Sequence, residues 1–90
     1  MEYNYPIRHD WSTEEIIDVV AFFQAVEKAY ETKIERKQFM EAYRAFKNVV
    51  PSMAEEKTLC KEFEEASGFV CYRIVKNAKD ASDGDMIQAR

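Results

Sequence analysis

Ninety residues, 47% hydrophobic and 33% charged, with a net charge of -4, suffice for one small folded domain and leave no room for a second core. The acidic balance disfavours generic binding to nucleic acid or anionic lipid, although it leaves room for a local basic patch. Two Gly and two Pro argue against the many tight turns of an all-β fold, and no apolar run approaches the roughly eighteen residues of a membrane span.

The first ten residues read as an extended arm. Pro6 pushes Tyr5 out of helical geometry, and Tyr3, Tyr5 and Trp11 are too apolar for a free tail, so the arm is expected to lie across the bundle. Met1-Glu2-Tyr3-Asn4 has neither the basic flank nor the apolar stretch of a signal peptide, and the expected compartment is the cytoplasm.

Trp11-Ser12-Thr13-Glu14-Glu15-Ile16 then starts a helix. Ser12 can accept from the first-turn N–H groups, Glu15 can reach back to the Ser12 N–H, and Trp11 and Ile16 can close as a hydrophobic staple. The helix is predicted from Thr13 to about Glu31, with Ile16, Val19, Val20, Phe23, Val26 and Tyr30 at helical spacing. Phe22 and Ala29 widen this stripe beyond what one neighbour covers, so the helix is expected to be central and to touch two partners. Ile17, Phe22 and Ala29 are the residues predicted for an interaction face on that surplus apolar surface.

A second helix is predicted from about Glu35 to just before Pro51, burying Phe39, Ala42, Tyr43, Phe46 and Val50. Pro51-Ser52-Met53-Ala54-Glu55 repeats the capping-box logic, and the short connection predicts that the third helix lies beside the second, roughly antiparallel. Leu59, Cys60, Phe63 and Ala66 are its inward positions. Gly68 ends it in left-handed geometry, with Phe69 folding back on Phe63. Residues 69–75 have the composition of a strand, but a lone strand would leave its backbone unpaired. The Val70, Ile74, Ala78 and Cys71, Val75 spacings favour a fourth helix through Lys79. Residues 80–90 are polar and acidic, and read as a loose tail. The expected architecture is therefore all-α: a compact bundle of three to four helices over 12–79, an extended arm over 1–11 and a flexible acidic tail over 80–90.

Residues able to carry chemistry are few. His9, the one histidine, stands beside Asp10 without a marked nucleophile, and reads as a surface or arm-packing residue rather than a catalytic one. Glu27 falls within the apolar face of the first helix, where a carboxylate is expected to accept a hydrogen bond from a tyrosine or to form a salt bridge. Two glycines, Gly68 and Gly84, cannot build a phosphate-binding loop. Asp80-Ala81-Ser82-Asp83-Gly84-Asp85 fails the register of a calcium loop. Cys60 and Cys71 are too few soft ligands for zinc. They read as small core side chains, with a disulfide between them left open. No catalytic residue, cofactor or metal site is predicted.

One charge pattern remains. Lys33, Arg36, Lys37, Arg44 and Lys47 fall along one flank of the second helix and its approach, a candidate anion-binding stripe as well as an ordinary solvated face. A helix-turn-helix made of the second and third helices fails, because Glu55, Glu56, Glu62, Glu64 and Glu65 would meet the DNA backbone.

Tyr3-Asn4-Tyr5-Pro6, Asp10-Trp11-Ser12-Thr13-Glu14-Glu15, Phe46-Lys47-Asn48-Val49-Val50-Pro51-Ser52 and Ala54-Glu55-Glu56-Lys57, followed by Ser67-Gly68 and Tyr72-Arg73, form an ordered set of separated blocks. Across Met1 to Lys79 the chain resembles the YktA-like family of Bacillus and related Firmicutes, uncharacterised protein family 0223. The resemblance implies a small, soluble, helical bacterial protein, and it brings no functional residues with it. The expected role is a non-enzymatic protein-interaction or regulatory module, binding a protein partner or a second copy of itself without membrane or metal. The alternative is an RNA- or ribosome-associated factor using the basic stripe.

Overall fold

The computed structural model describes residues 4–89. Four helices, α1 (Thr13–Glu31), α2 (Arg36–Val49), α3 (Met53–Ser67) and α4 (Cys71–Asp80), make up the body. Two short strands, β1 (Ile34–Glu35) and β2 (Met86–Ile87), pair antiparallel with Ile34 opposite Ile87 and Glu35 opposite Met86. The helical class expected from the sequence is the one adopted.

Local chemistry sets the boundaries. At α1 the full capping box forms: the Glu15 N–H donates to Ser12 Oγ at 3.2 Å and the Ser12 N–H donates to Glu15 Oε1 at 2.8 Å. At α3 only half of the predicted box is made. The Glu55 N–H donates to Ser52 Oγ at 3.4 Å, and no return bond comes from the Glu55 carboxylate. Gly68 ends α3 at φ 83°, left-handed geometry that costs glycine nothing. Phe69 then folds back, its ring 6.3 Å from Phe63 and stacked at 4.6 Å on Tyr30. The segment with strand composition is helical from Cys71 on, as the i, i+4 spacing of Cys71, Val75 and of Ile74, Ala78 indicated, whereas Phe69 and Val70, expected within the helix, precede it, Val70 as its extended N-cap.

α1 is the central element, contacting both α2 and α4. Phe22 stacks on Phe46 at 4.4 Å and also meets Phe39 and Tyr43, while Phe23 stacks on Phe63 of α3 at 4.5 Å. Five fully buried phenylalanines thus carry much of the core. The arm lies across this core: Pro6 is buried, and the Tyr5 ring rests on Phe23 and Phe63. Tyr3, expected to share in that packing, lies outside the described residues.

Three expectations need correction. α2 and α3 do not pack side by side along their lengths. Their backbones barely approach, and long side chains bridge them instead. Ala66 is exposed, and the inward position one turn beyond Phe63 belongs to Ser67, whose hydroxyl donates to the Phe63 carbonyl at 2.7 Å. Finally, the acidic segment after α4 is tied down through Ala89 rather than loose. Ile87 is buried in the strand pair. The Arg36 N–H donates to the Asp85 carbonyl at 2.9 Å, and the Ala89 N–H donates to the Ala29 carbonyl at 3.2 Å. Gln88 Nε2 adds a bond to the Thr32 carbonyl at 2.8 Å. A radius of gyration of 12.3 Å, against about 12 Å expected of a chain this long, agrees with the segment folding back.

Candidate functional site

The apolar face predicted on α1 divides in two. Phe22 and Ala29 are core residues, 0% and 1% exposed. Among the described residues, α2 supplies Phe39, Tyr43 and Phe46 over Phe22, and the C-terminal segment meets α1 at Ala29. The apolar arc is wide because α1 is central to its own domain. Ile17 is different. It is 60% exposed, the most exposed of the large hydrophobic side chains among the described residues.

One turn beyond Ile17 stands Ala21, the first wall residue of a groove of about 250 Å³ between α1 and α2. Ala21, Gln24, Ala25 and Lys28 supply one side, Gln38 and Ala42 the other, and Ile34 closes the end. Positions 17, 21, 24 or 25 and 28 follow one helical face, so Ile17 continues the line of the groove. Small residues on both walls leave the space at the outer edge of this closely packed helix pair unfilled.

The basic stripe also divides, for a geometric reason. Positions 36, 40, 43 and 47 recur at i, i+4, i+7 and i+11, and so share a face that borders the core. Arg36 Nε donates to the Ala78 carbonyl at 2.7 Å, and its Nη1 pairs with Asp83 at 2.5 Å, fastening the segment after α4. Lys47 donates to the carboxylate of Glu56, which is 1% exposed. Lys33, Lys37 and Arg44 point outward, are exposed, and make no ion pair among the described residues. Three cations therefore remain on the surface, with the exposed Glu41 among them.

Glu56 is the polar centre that the sequence reading missed. Lys47 Nζ approaches its Oε1 at 2.5 Å, and the Tyr43 hydroxyl donates to its Oε2 at 3.2 Å. The Tyr72 hydroxyl is buried nearby and faces the same carboxylate, without a hydrogen bond of good geometry among the described residues. Burial and the Glu56 charge push Tyr43 up to about 12 and raise Tyr72 as well, so both phenols stay protonated. Lys79 lies over the Tyr43 ring, 5.9 Å from its centre. The cluster joins α2 and α3 through side chains and extends to α4 through Tyr72 and Lys79. A signal was available: Glu56, Leu59, Cys60, Phe63 and Ser67 fall on one helical face, so Glu56 sits in phase with the core.

Glu27 accepts a hydrogen bond from Tyr5 at 2.6 Å, the tyrosine pairing expected of it. Burial, then the charge of Glu31, raises its ionisation point above the usual carboxylate range. Arg8 forks onto Glu62 at 2.8 and 3.3 Å, holding the arm against α3 and drawing the Glu62 carboxyl down. His9 is exposed.

Cys60 and Cys71 are both free and buried. They line one cleft of about 350 Å³ between α3 and the start of α4, together with Lys57, Lys61, Glu64, Glu65, Val70 and Tyr72. The neighbouring Cys60 thiol and burial raise the Cys71 thiol well above the ordinary range. A third hollow, of about 480 Å³, lies where the C-terminal segment meets α4, beside Asn77, Asp80 and Asp85. Asp85 is engaged in its own turn, accepting the Ser82 N–H at 2.9 Å. No group of three or more His, Cys, Asp or Glu side chains among the described residues could hold a metal ion, and none of the described helices is long and apolar enough to cross a membrane.

Comparison with known proteins places this architecture in a family. A protein from Lysinibacillus sphaericus is 57% identical over 88 residues, covering 98% of this chain and 93% of the relative. The YktA protein of Bacillus subtilis is 56% identical over 81 residues, or 90% and 92% of the two chains. A protein of Oceanobacillus iheyensis is 49% identical over 86 residues, or 96% and 98%. The sequence model of the uncharacterised protein family UPF0223 matches residues 2–87, and the chain belongs to that family.

Proposed function

We propose that the protein is a non-enzymatic protein-interaction or regulatory module of the cytoplasm, docking its partner through the outer edge of α1 and α2. The supporting observation is Ile17, a branched apolar side chain left 60% exposed in line with the groove of Ala21, Ala25 and Ala42. Covering its remaining surface is worth about 1–2 kcal/mol, and the alanine walls admit the side chains of a partner helix. Lys28, a wall residue, and the outward Lys33 and Lys37 favour acidic groups on that partner. A second copy of this chain is the other candidate: a twofold contact can cover Ile17 on both subunits, but it sets these lysines near one another rather than against acidic groups.

The test is a tagged pull-down from a Bacillus lysate, with and without nuclease, comparing wild type with Ile17→Glu. Wild type is expected to retain a near-stoichiometric protein after nuclease and the variant to lose it. Retention by both would overturn docking at this groove. Analytical ultracentrifugation of the same two proteins reports self-association. Phe22→Ala is the fold control: it is expected to cost about 3–5 kcal/mol of stability, whereas Ile17→Glu stays within about 0.5 kcal/mol of wild type.

The RNA- or ribosome-associated reading retains Lys33, Lys37 and Arg44, while Arg36 and Lys47 are held in internal pairs. It predicts salt-sensitive capture of ribosomal proteins, abolished by nuclease and by Arg44→Glu.

A further inference from the structure

We propose that Cys60 and Cys71 are a redox-active pair, forming a reversible intramolecular disulfide across the α3–α4 cleft with a hydroperoxide as oxidant. The pair lies on different helices from the docking groove, and the proposal stands independently of that reading.

The chain path brings the two thiols together. α3 ends at the left-handed Gly68, Phe69 and Val70 carry the chain back, and Cys71 opens α4 with its thiol within hydrogen-bonding reach of Cys60. Both side chains line the one cleft, which at about 350 Å³ admits a molecule the size of hydrogen peroxide. The two sulfurs are not equivalent. Cys60 is the more open, 5% exposed against 1%, and Lys57 and Lys61 share the cleft wall with it. Burial and the neighbouring thiol keep Cys71 protonated. Cys60 is therefore the sulfur that meets the oxidant, and Cys71 the one that resolves it.

The steps balance. The Cys60 sulfur attacks the peroxide, an S–O bond forms, the O–O bond breaks, and the leaving oxygen takes the Cys60 proton to depart as water. The Cys71 sulfur then attacks the Cys60 sulfenic acid. The S–S bond forms, the S–O bond breaks, and the hydroxyl leaves as a second water with the Cys71 proton. Two thiols lose two electrons in all, and one hydrogen peroxide is reduced to two waters. A thiol reductant reverses the bond by exchange.

The sequence makes the product easy to read, because trypsin separates the two cysteines into Thr58–Lys61 and Glu62–Arg73. The purified full chain is treated with hydrogen peroxide, denatured, alkylated and analysed by mass spectrometry without reduction. The expected result is the loss of two hydrogens, no alkylation at either cysteine, and a cross-linked peptide pair that dithiothreitol releases. Cys71→Ser should stop at a sulfenic acid on Cys60 that dimedone traps, and Cys60→Ser should leave Cys71 alkylatable. Two alkylatable cysteines in oxidised wild type, or disulfides only between separate chains, would overturn the proposal, and this wild-type arm holds whether or not either variant folds.

Discussion

Removing Lys47 tests whether the buried carboxylate of Glu56 depends on its ammonium partner. Lys47→Met keeps the aliphatic stem and the helical preference of position 47 but deletes the charge. Glu56, at 1% exposure, would then hold a negative charge with no cation paired to it among the described residues, while keeping the 3.2 Å bond from Tyr43. Breaking a buried pair in this way costs about 3–5 kcal/mol. The retained Tyr43 bond and the partial exposure of Lys47 (26%) place the expectation near the lower end, about 3 kcal/mol. For a domain of this length that is a drop of roughly 12–24 °C in Tm, and a large part of the roughly 5–13 kcal/mol available in total. The double variant Lys47→Met, Glu56→Leu should recover much of the loss, because an apolar pair of similar volume replaces both charges together. Urea unfolding followed by circular dichroism measures both, with the slope m checked for constancy so that the midpoint reports stability. A Lys47→Met variant within about 0.5 kcal/mol of wild type, or a double variant no better than the single, would refute the argument.

Two further outcomes are expected. Ile87→Ala should destabilise by about 2 kcal/mol or more, the low end for truncating a buried isoleucine, and should speed amide exchange at Met86–Ala89 and at Arg36, whose N–H bonds Asp85; unchanged exchange there would show that the strand pair does not hold the segment. Glu27 has a folded-state ionisation point raised above its unfolded one, so between the two values the folded form keeps a proton that the unfolded form has lost. Its contribution to stability therefore falls as pH rises through that window. Glu27→Gln, which preserves an acceptor for Tyr5, should gain on wild type at neutral pH and converge with it below about pH 4, as read from paired urea titrations.

The parts of the fold legible in the sequence were those with local causes. Ser12 with Glu15, Pro51 and Gly68 each act within a turn of the boundary they set, and α4 could be told from a strand by the phase of Cys71 with Val75 and of Ile74 with Ala78. What escaped depends on partners distant in sequence. Met86–Ile87 is a two-residue apolar patch with no periodicity of its own, and β1, its partner, lies more than half the chain away. The stripe and the α1 face were sound as patterns and incomplete as sites. Arg36 and Lys47 have the composition of a solvated flank, and only the positions of Asp83 and Glu56 turn them inward. Phe22 and Ala29 presented an apolar surplus that α2 and the C-terminal segment absorb.

The strand pair also bears on synthesis. Met86 and Ile87 are made after all four helices and pair with a strand made before three of them, so a newly released chain can hold its helical content while Ile34 still lacks its cover. Closure waits on a contact between segments far apart in the chain, the slow kind of event in folding. A chain in which that contact is delayed would thus be helical but unsealed, with the apolar base of α2 open to whatever binds it first.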